Sequence, residues 1–169
     1  MTAFEPGRFD PLRMTIEDDI AFLEQVPTFA LLGREALRIL AIGAESRYVH
    51  AGEVLFQAGE SADGGYLVQE GTFTLRPDTG DSNPPEVTVS RGALLGEFAL
   101  LTETVRPVTA TANEPSTVVR IPRSLFVKML EGYPDAAQRL RDHLARRAEQ
   151  TAKDIVAVRS VLDPGRGQS

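Results

Sequence analysis

Apolar residues recur at helical spacing in two stretches near the start of the chain. Thr15 and Asp18 stand where a helix start needs a capping pair, and Ile16, Ile20 and Leu23 repeat along one face up to Pro27. Leu31, Leu32, Leu37, Leu40 and Ala41 form a second stripe between Gly33 and Gly43, which predicts a second helix stopped by a glycine C-cap. From Tyr48 to Ile121 the texture changes to short runs rich in Val, Leu, Phe, Tyr and Thr, at residues 54–57, 66–69, 72–75, 86–90, 109–112 and 117–121. Glycines 52, 59, 64, 65, 71, 80 and 92 lie between or at the ends of these runs, where turns call for positive φ. The pattern predicts a mainly β fold with flanking helices, an antiparallel β jelly roll (a double-stranded β-helix), with a mobile polar hairpin loop over residues 76–85.

Beyond the strands the period returns to that of a helix. Pro122 suits a first helical turn, and Leu125, Phe126, Met129 and Leu130 form an apolar face before Gly132. A second proline, Pro134, opens a long helix in which Leu140, Leu144, Ala148, Thr151, Ile155, Val158 and Leu162 advance by fours and threes. That stripe is longer than one barrel can cover, so a homodimer through this helix is expected. The organisation reads as a flexible arm at residues 1–14, a single domain at 15–162 and a frayed tail at 163–169. Within the domain the barrel spans about 48–121 and the C-terminal helices about 122–162.

Composition narrows the function. With 169 residues, 42% hydrophobic and 25% charged, one core is expected. The net charge of −6 has the wrong sign for a protein that wraps nucleic acid. Arg139, Arg141, Arg146, Arg147, Lys153 and Arg159 make the last helix locally basic, but its interspersed acids fit a solvated coiled-coil face better than a DNA contact. With no cysteine, thiolate chemistry and disulfides are excluded. His50 and His143, the two histidines, sit far apart in the sequence, so neither a metal site nor a hydrolytic triad is expected, and no catalytic residue is assigned. No run approaches a membrane span or a signal peptide core, which reads as a cytoplasmic chain without a membrane partner.

The segment over residues 92–112, GALLGEFALLTETVRPVTATA, departs from strand texture. Gly96 and Glu97 stand at the mouth of a helix-like run over residues 98–101, where free amides and the helix dipole favour an anion. Arg106 can return over the same spot with a guanidinium fork suited to phosphate, while Glu97 accepts from a neutral hydroxyl. From the residues alone, a structural ion pair between Glu97 and Arg106 explains the two equally well.

The segment closely resembles the phosphate-binding cassette of the cyclic nucleotide-binding domain family, F-G-E-[LM]-A-L-L followed by P-R-[AST]-A-T-V-x-A. The matching residues are Leu95, Gly96, Glu97, Phe98, Ala99, Leu100 and Leu101, then Arg106, Thr109 and Ala112. The likeness covers roughly residues 20–150 and includes the AGEVLFQAGE hairpin. It implies a non-enzymatic regulatory sensor for cAMP or cGMP, without a further cofactor, whose final helix is drawn over the barrel when ligand binds. It further implies that Glu97 binds the ribose 2′-hydroxyl and Arg106 a phosphate oxygen, with the amides of Phe98 and Ala99 facing the phosphate and Pro107 and Val108 completing the site.

One departure bears on affinity. The family carries Ala, Ser or Thr after the cassette arginine, and here that residue is Pro107, which has no N–H to donate. A hydrogen bond to a charged group is worth roughly 1.5–3 kcal/mol, or about 10-fold to over 100-fold in affinity. Weak to moderate binding follows, with no hydroxyl to favour cGMP and so a slight preference for cAMP. The competing expectation is a protein-interaction or dimerisation module whose pocket no longer binds a nucleotide. The chain is expected to lack an attached output domain and to act through a downstream protein partner.

Overall fold

A computed structural model describes residues 15–80 and 82–162, with side chains described as far as Glu149. The expected arm at 1–14 and tail at 163–169 lie outside the described residues. Three helices come first among the described residues. Helix α1 (Ile16–Glu24) starts with the reciprocal cap anticipated at Thr15: its hydroxyl accepts from the Asp18 amide at 3.1 Å, and the Asp18 carboxylate accepts from the Thr15 amide at 3.2 Å. A single turn, α2 (Pro27–Ala30), separates it from α3 (Arg34–Gly43) and went unread in the sequence because one turn carries no period. Gly43 is the last helical residue and not a left-handed cap, since Ala44 after it is already extended at φ −76° and ψ 156°. Its bare Cα serves packing instead: a Cβ there would lie 2.7 Å from Leu125 Cδ1 of the helix that follows the barrel.

Among the described residues ten strands form the barrel. They are β1 (Glu45–Val49), β2 (Val54–Phe56), β3 (Ser61–Ala62), β4 (Gly64–Glu70), β5 (Phe73–Pro77), β6 (Val87–Val89), β7 (Leu94–Leu95), β8 (Thr104–Val105), β9 (Val108–Ala112) and β10 (Ser116–Pro122). Two four-stranded antiparallel sheets, in the orders β1-β10-β4-β7 and β2-β9-β5-β6, face each other, and β3 pairs with β8 in a small third sheet. This is the jelly roll expected, but it begins at Glu45 rather than Tyr48. In β1 the first four of five residues are exposed, so no alternation marked it. The two-residue strands β3, β7 and β8 are too short to show any period.

Gly64 and Gly65 depart from the turn role expected of them. Both lie inside β4 without positive φ, unlike Gly52, Gly59, Gly71, Gly80 and Gly92. A Cβ on Gly64 would stand 2.2 Å from the Ile121 carbonyl oxygen, and on Gly65 3.3 Å from the Leu100 side chain. Here glycine lets β4 press against β10 and the cassette turn.

The helices α4 (Arg123–Gly132) and α5 (Pro134–Leu162) close the fold. Alternation along β4 and β10 divides the interior into two cores: Tyr66, Val68 and Val118 point into the barrel, while Leu67 and Ile121 point to the helices. The barrel core gathers around Phe56, Phe73 and Leu95. The helical core joins α1, α2 and α3 to α4, where the Phe29 and Phe126 rings sit 6.1 Å apart. Ala136, Ala137, Leu140 and Leu144 of α5 enter that same core. The first two members of the stripe expected to dimerise are thus spent within the chain, and the side chains from Thr151 to Leu162 lie outside the described residues.

Candidate functional site

The site is built on the loop between β7 and β9. Leu95 ends β7, and Gly96 then turns the chain at φ +87°, a conformation that strains any residue with a Cβ. Glu97 caps a 3-10 turn, Phe98–Leu100, whose inward residues Ala99 and Leu100 are buried. The Ala99 amide donates to the Gly96 carbonyl at 3.1 Å, so it closes the turn rather than facing an anion as expected. Strand β8 follows, and Arg106 comes next. Its backbone is clamped by the segment between β2 and β3: its N–H donates to the Glu60 carbonyl and its carbonyl accepts from the Gly59 amide, both at 2.8 Å. That clamp directs the side chain inward, where it is 4% exposed.

Inside the barrel the Arg106 guanidinium lies over two stacked rings, 4.5 Å from the Phe56 centroid and 5.4 Å from that of Tyr66. Burial pushes its pKa below the ordinary arginine value; Tyr66, Asp63 and Glu60 act in the opposite direction, and Arg120 adds to the lowering. No carboxylate lies within ion-pair distance of it among the described residues, and its buried Nη1 has no hydrogen-bond partner. A Cβ on Gly96 would be 2.4 Å from that same nitrogen. Glycine therefore both makes the turn and leaves the guanidinium its space.

Glu97 and Arg106 are not paired with each other. The Glu97 carboxylate, 12% exposed, takes Arg147 of α5 on Oε1 and the Thr28 hydroxyl of α2 on Oε2. The seven residues singled out from the sequence (Gly96, Glu97, Phe98, Ala99, Arg106, Pro107 and Val108) all line one pocket of about 390 Å³. That is within the range of small-molecule sites, and most of its other walls are apolar, among them Phe56, Leu75 and Leu94. Phe98 and Val105 stand half-exposed at its edge. Thr28 and Arg147 were missed in the sequence because they lie 69 and 50 residues from Glu97 and carry no motif of their own.

The cyclic nucleotide-binding domain model matches residues 46–133, more than half of the chain and the whole of this loop. The chain belongs to the cyclic nucleotide-binding domain family. A cyclic nucleotide-binding-like protein of Brucella abortus is 43% identical, with a TM-score of 0.61 over 68% of this chain and 98% of that one. The N-terminal domain of a transcriptional regulator from Streptomyces coelicolor is 26% identical, with a TM-score of 0.70 over 79% and 94% of the two chains. Among curated proteins, a lysophospholipase of Chaetomium globosum is 28% identical over 116 residues, which are 68% of this chain but 8% of that protein. This cyclic nucleotide-binding domain thus spans under a tenth of the length of that relative.

Among the described residues no group of three potential metal ligands occurs, and no helix is long and apolar enough to cross a membrane. His50 lies at the surface with Nδ1 3.2 Å from Glu53 Oε1.

Proposed function

We propose that this domain is a non-catalytic sensor of purine cyclic nucleotides, with cAMP preferred slightly over cGMP. One observation carries the reading: Arg106 is a buried cation with an orphaned Nη1, set against an apolar pocket and given room by Gly96. A buried charge without a partner is costly, and an anion in the pocket would supply the partner. A cyclic phosphate at Arg106 leaves its sugar toward Glu97, whose carboxylate accepts from a hydroxyl, and its base against Phe56, Leu75 and Val108. Pro107 gives no amide to the phosphate, so binding is weak to moderate, and it gives no hydroxyl to a guanine. Titration calorimetry with cAMP and cGMP tests this. Arg106→Leu should abolish the heat of binding, and binding unchanged in that variant, or submicromolar cGMP affinity in the wild type, overturns the assignment.

Pro107 also favours a second reading, in which the fold persists as an interaction module with a degenerate pocket. Thermal unfolding separates the two: a ligand at 100 times its dissociation constant adds about 2.7 kcal/mol, whereas no shift at millimolar cAMP or cGMP supports the module. Under either reading residues 15–162 form one unit that works in the cytoplasm through a downstream protein. The homodimer now rests on Ala148, Thr151, Ile155, Val158 and Leu162, and a monomer by light scattering at tens of micromolar would remove it.

A further inference from the structure

The turn that carries Glu97 does not by itself aim its carboxylate. Glu97 precedes the 3-10 turn Phe98–Leu100, and its side chain makes no capping bond to that turn. A glutamate side chain is long and rotatable, so a carboxylate that is to receive one particular hydroxyl must be held from elsewhere. Arg147 of α5 donates to Oε1 and the Thr28 hydroxyl of α2 to Oε2. The Thr28 hydroxyl sits directly on the β-carbon of a residue with a fixed support. Pro27 sets the first helical φ, and the amides of Phe29 and Ala30 both donate to the Val26 carbonyl at 2.9 Å. Val26 and Phe29 are buried in the helical core. Thr28 itself is 4% exposed, and a buried hydroxyl deprived of its acceptor is left unsatisfied, so its bond to Glu97 is one the fold keeps. An ionised carboxylate offers about four lone-pair sites. The two donors therefore leave Glu97 room to accept, and it does line the pocket.

We infer that Thr28 is a positioning residue for the sugar contact: by fixing Oε2 it turns the remaining lone pairs of Glu97 toward a 2′-hydroxyl in the pocket. The inference rests on the nucleotide reading of the pocket. It adds that α2, an element outside the cassette, sets how sharply the site tells ribose from deoxyribose. Thr28 is not among the residues that line the pocket, so it acts through Glu97 and not on the ligand. A ligand without the hydroxyl is therefore indifferent to it.

The test is calorimetry with cAMP and 2′-deoxy-cAMP on the wild type, on Thr28→Val, which keeps the shape and removes the hydroxyl, and on Thr28→Ser, which keeps the hydroxyl. The wild type and Thr28→Ser should bind cAMP about tenfold more tightly than 2′-deoxy-cAMP, the worth of one hydrogen bond to a charged acceptor. In Thr28→Val the ratio should fall below about threefold through weaker cAMP binding alone, with 2′-deoxy-cAMP unchanged. A ratio that stays near tenfold in Thr28→Val, one lost to the same extent in Thr28→Ser, or an equal loss for both ligands would each overturn the inference. The last of these is what a purely structural link between α2 and the cassette would give. NMR three-bond couplings of the Glu97 side chain read the same contact without ligand: one rotamer in the wild type and in Thr28→Ser, averaging in Thr28→Val. Averaged couplings in the wild type, or a single rotamer in Thr28→Val, refute the positioning by themselves. If neither ligand binds any of the three proteins, the nucleotide reading fails and the sugar role falls with it, whereas binding with a wild-type ratio near one refutes the sugar role alone.

Discussion

Replacing Arg106 by methionine should make the ligand-free domain more stable while removing its nucleotide affinity. The guanidinium is buried, its Nη1 has no acceptor, and burial lowers its pKa, which means the folded state opposes the charge. Arginine is charged in both states at pH 7, so this penalty is fully present there and would lift only far into the alkaline range, as pH rises through the depressed pKa. An unsatisfied buried donor costs about 1–3 kcal/mol. Against this stand the two ring contacts, at 4.5 and 5.4 Å, each worth roughly 0.5–2 kcal/mol when desolvated.

Methionine keeps the length of the side chain, needs no acceptor, and recovers roughly 0.3–1.5 kcal/mol per sulfur–ring contact with Phe56 and Tyr66. The balance is a gain of about 1 kcal/mol, or a rise in Tm of about 2–4 °C for a chain of this size. Differential scanning calorimetry without and with cAMP reads both halves. The wild type should gain about 5–10 °C at saturating ligand and the variant nothing beyond its own higher baseline. A ligand-free variant that melts 4 °C or more below the wild type would refute the reasoning, since it would mean that the chain itself satisfies the Arg106 charge.

Three further substitutions test the packing and the electrostatics around the site. Gly64→Ala drives a Cβ to 2.2 Å from the Ile121 carbonyl, backbone against backbone, and should cost about 3 kcal/mol in thermal melts; a wild-type Tm would show that β4 and β10 are not so closely apposed. Phe126→Ala empties the contact with Phe29 in the helical core and should cost about 3–5 kcal/mol by urea titration, with the m-value unchanged. Burial, together with Asp18, holds the Asp19 carboxyl above its usual range, so the folded state gains stability as pH falls through that raised pKa. Asp19→Asn should therefore be more stable at pH 7 by under about 1 kcal/mol, an advantage that disappears below about pH 4 in the same melts.

What was legible in the sequence is what repeats locally. The Thr15 cap, the helical stripes and the longer strands follow from side-chain periods, and the cassette could be read because its residues lie within one loop from Gly96 to Val108. Glycine was ambiguous: the same residue marks a turn at Gly92, where a Cβ would meet nothing within 4 Å, and a close approach at Gly64, and only the pairing of β4 with β10 separates the two. The partner of Glu97 was illegible for a different reason. The sequence offered Arg106 because it is near, whereas the fold brings Arg147 from a stretch that reads as a solvated helix face. That left Arg106 without an ion-pair partner among the described residues and its Nη1 without an acceptor, which no local pattern announces.

The contacts of the cassette explain why a change there would not stay local. Its 3-10 turn faces the pocket on one side, while on the other Leu100, 1% exposed, belongs to the helical core with Phe29 and Phe126. Polar links bind the same few residues to three helices. Thr28 and Arg147 hold Glu97 from α2 and α5, and Arg123, the first residue of α4, donates from one nitrogen to the carbonyls of Ala62, Ala99 and Thr102 at 2.9, 3.1 and 3.1 Å. The Arg123 amide is also tied to the Asp63 carbonyl at 2.7 Å, next to the strand that pairs with β8. A close-packed interior does not absorb small displacements by compressing, so a shift of this turn must either be refused or passed to the helices. Of these side chains Arg147 is the exposed one, while Thr28 is buried and Arg123 is fixed to three acceptors on two segments. These contacts join α2, α4 and α5 to the one turn that lines the pocket.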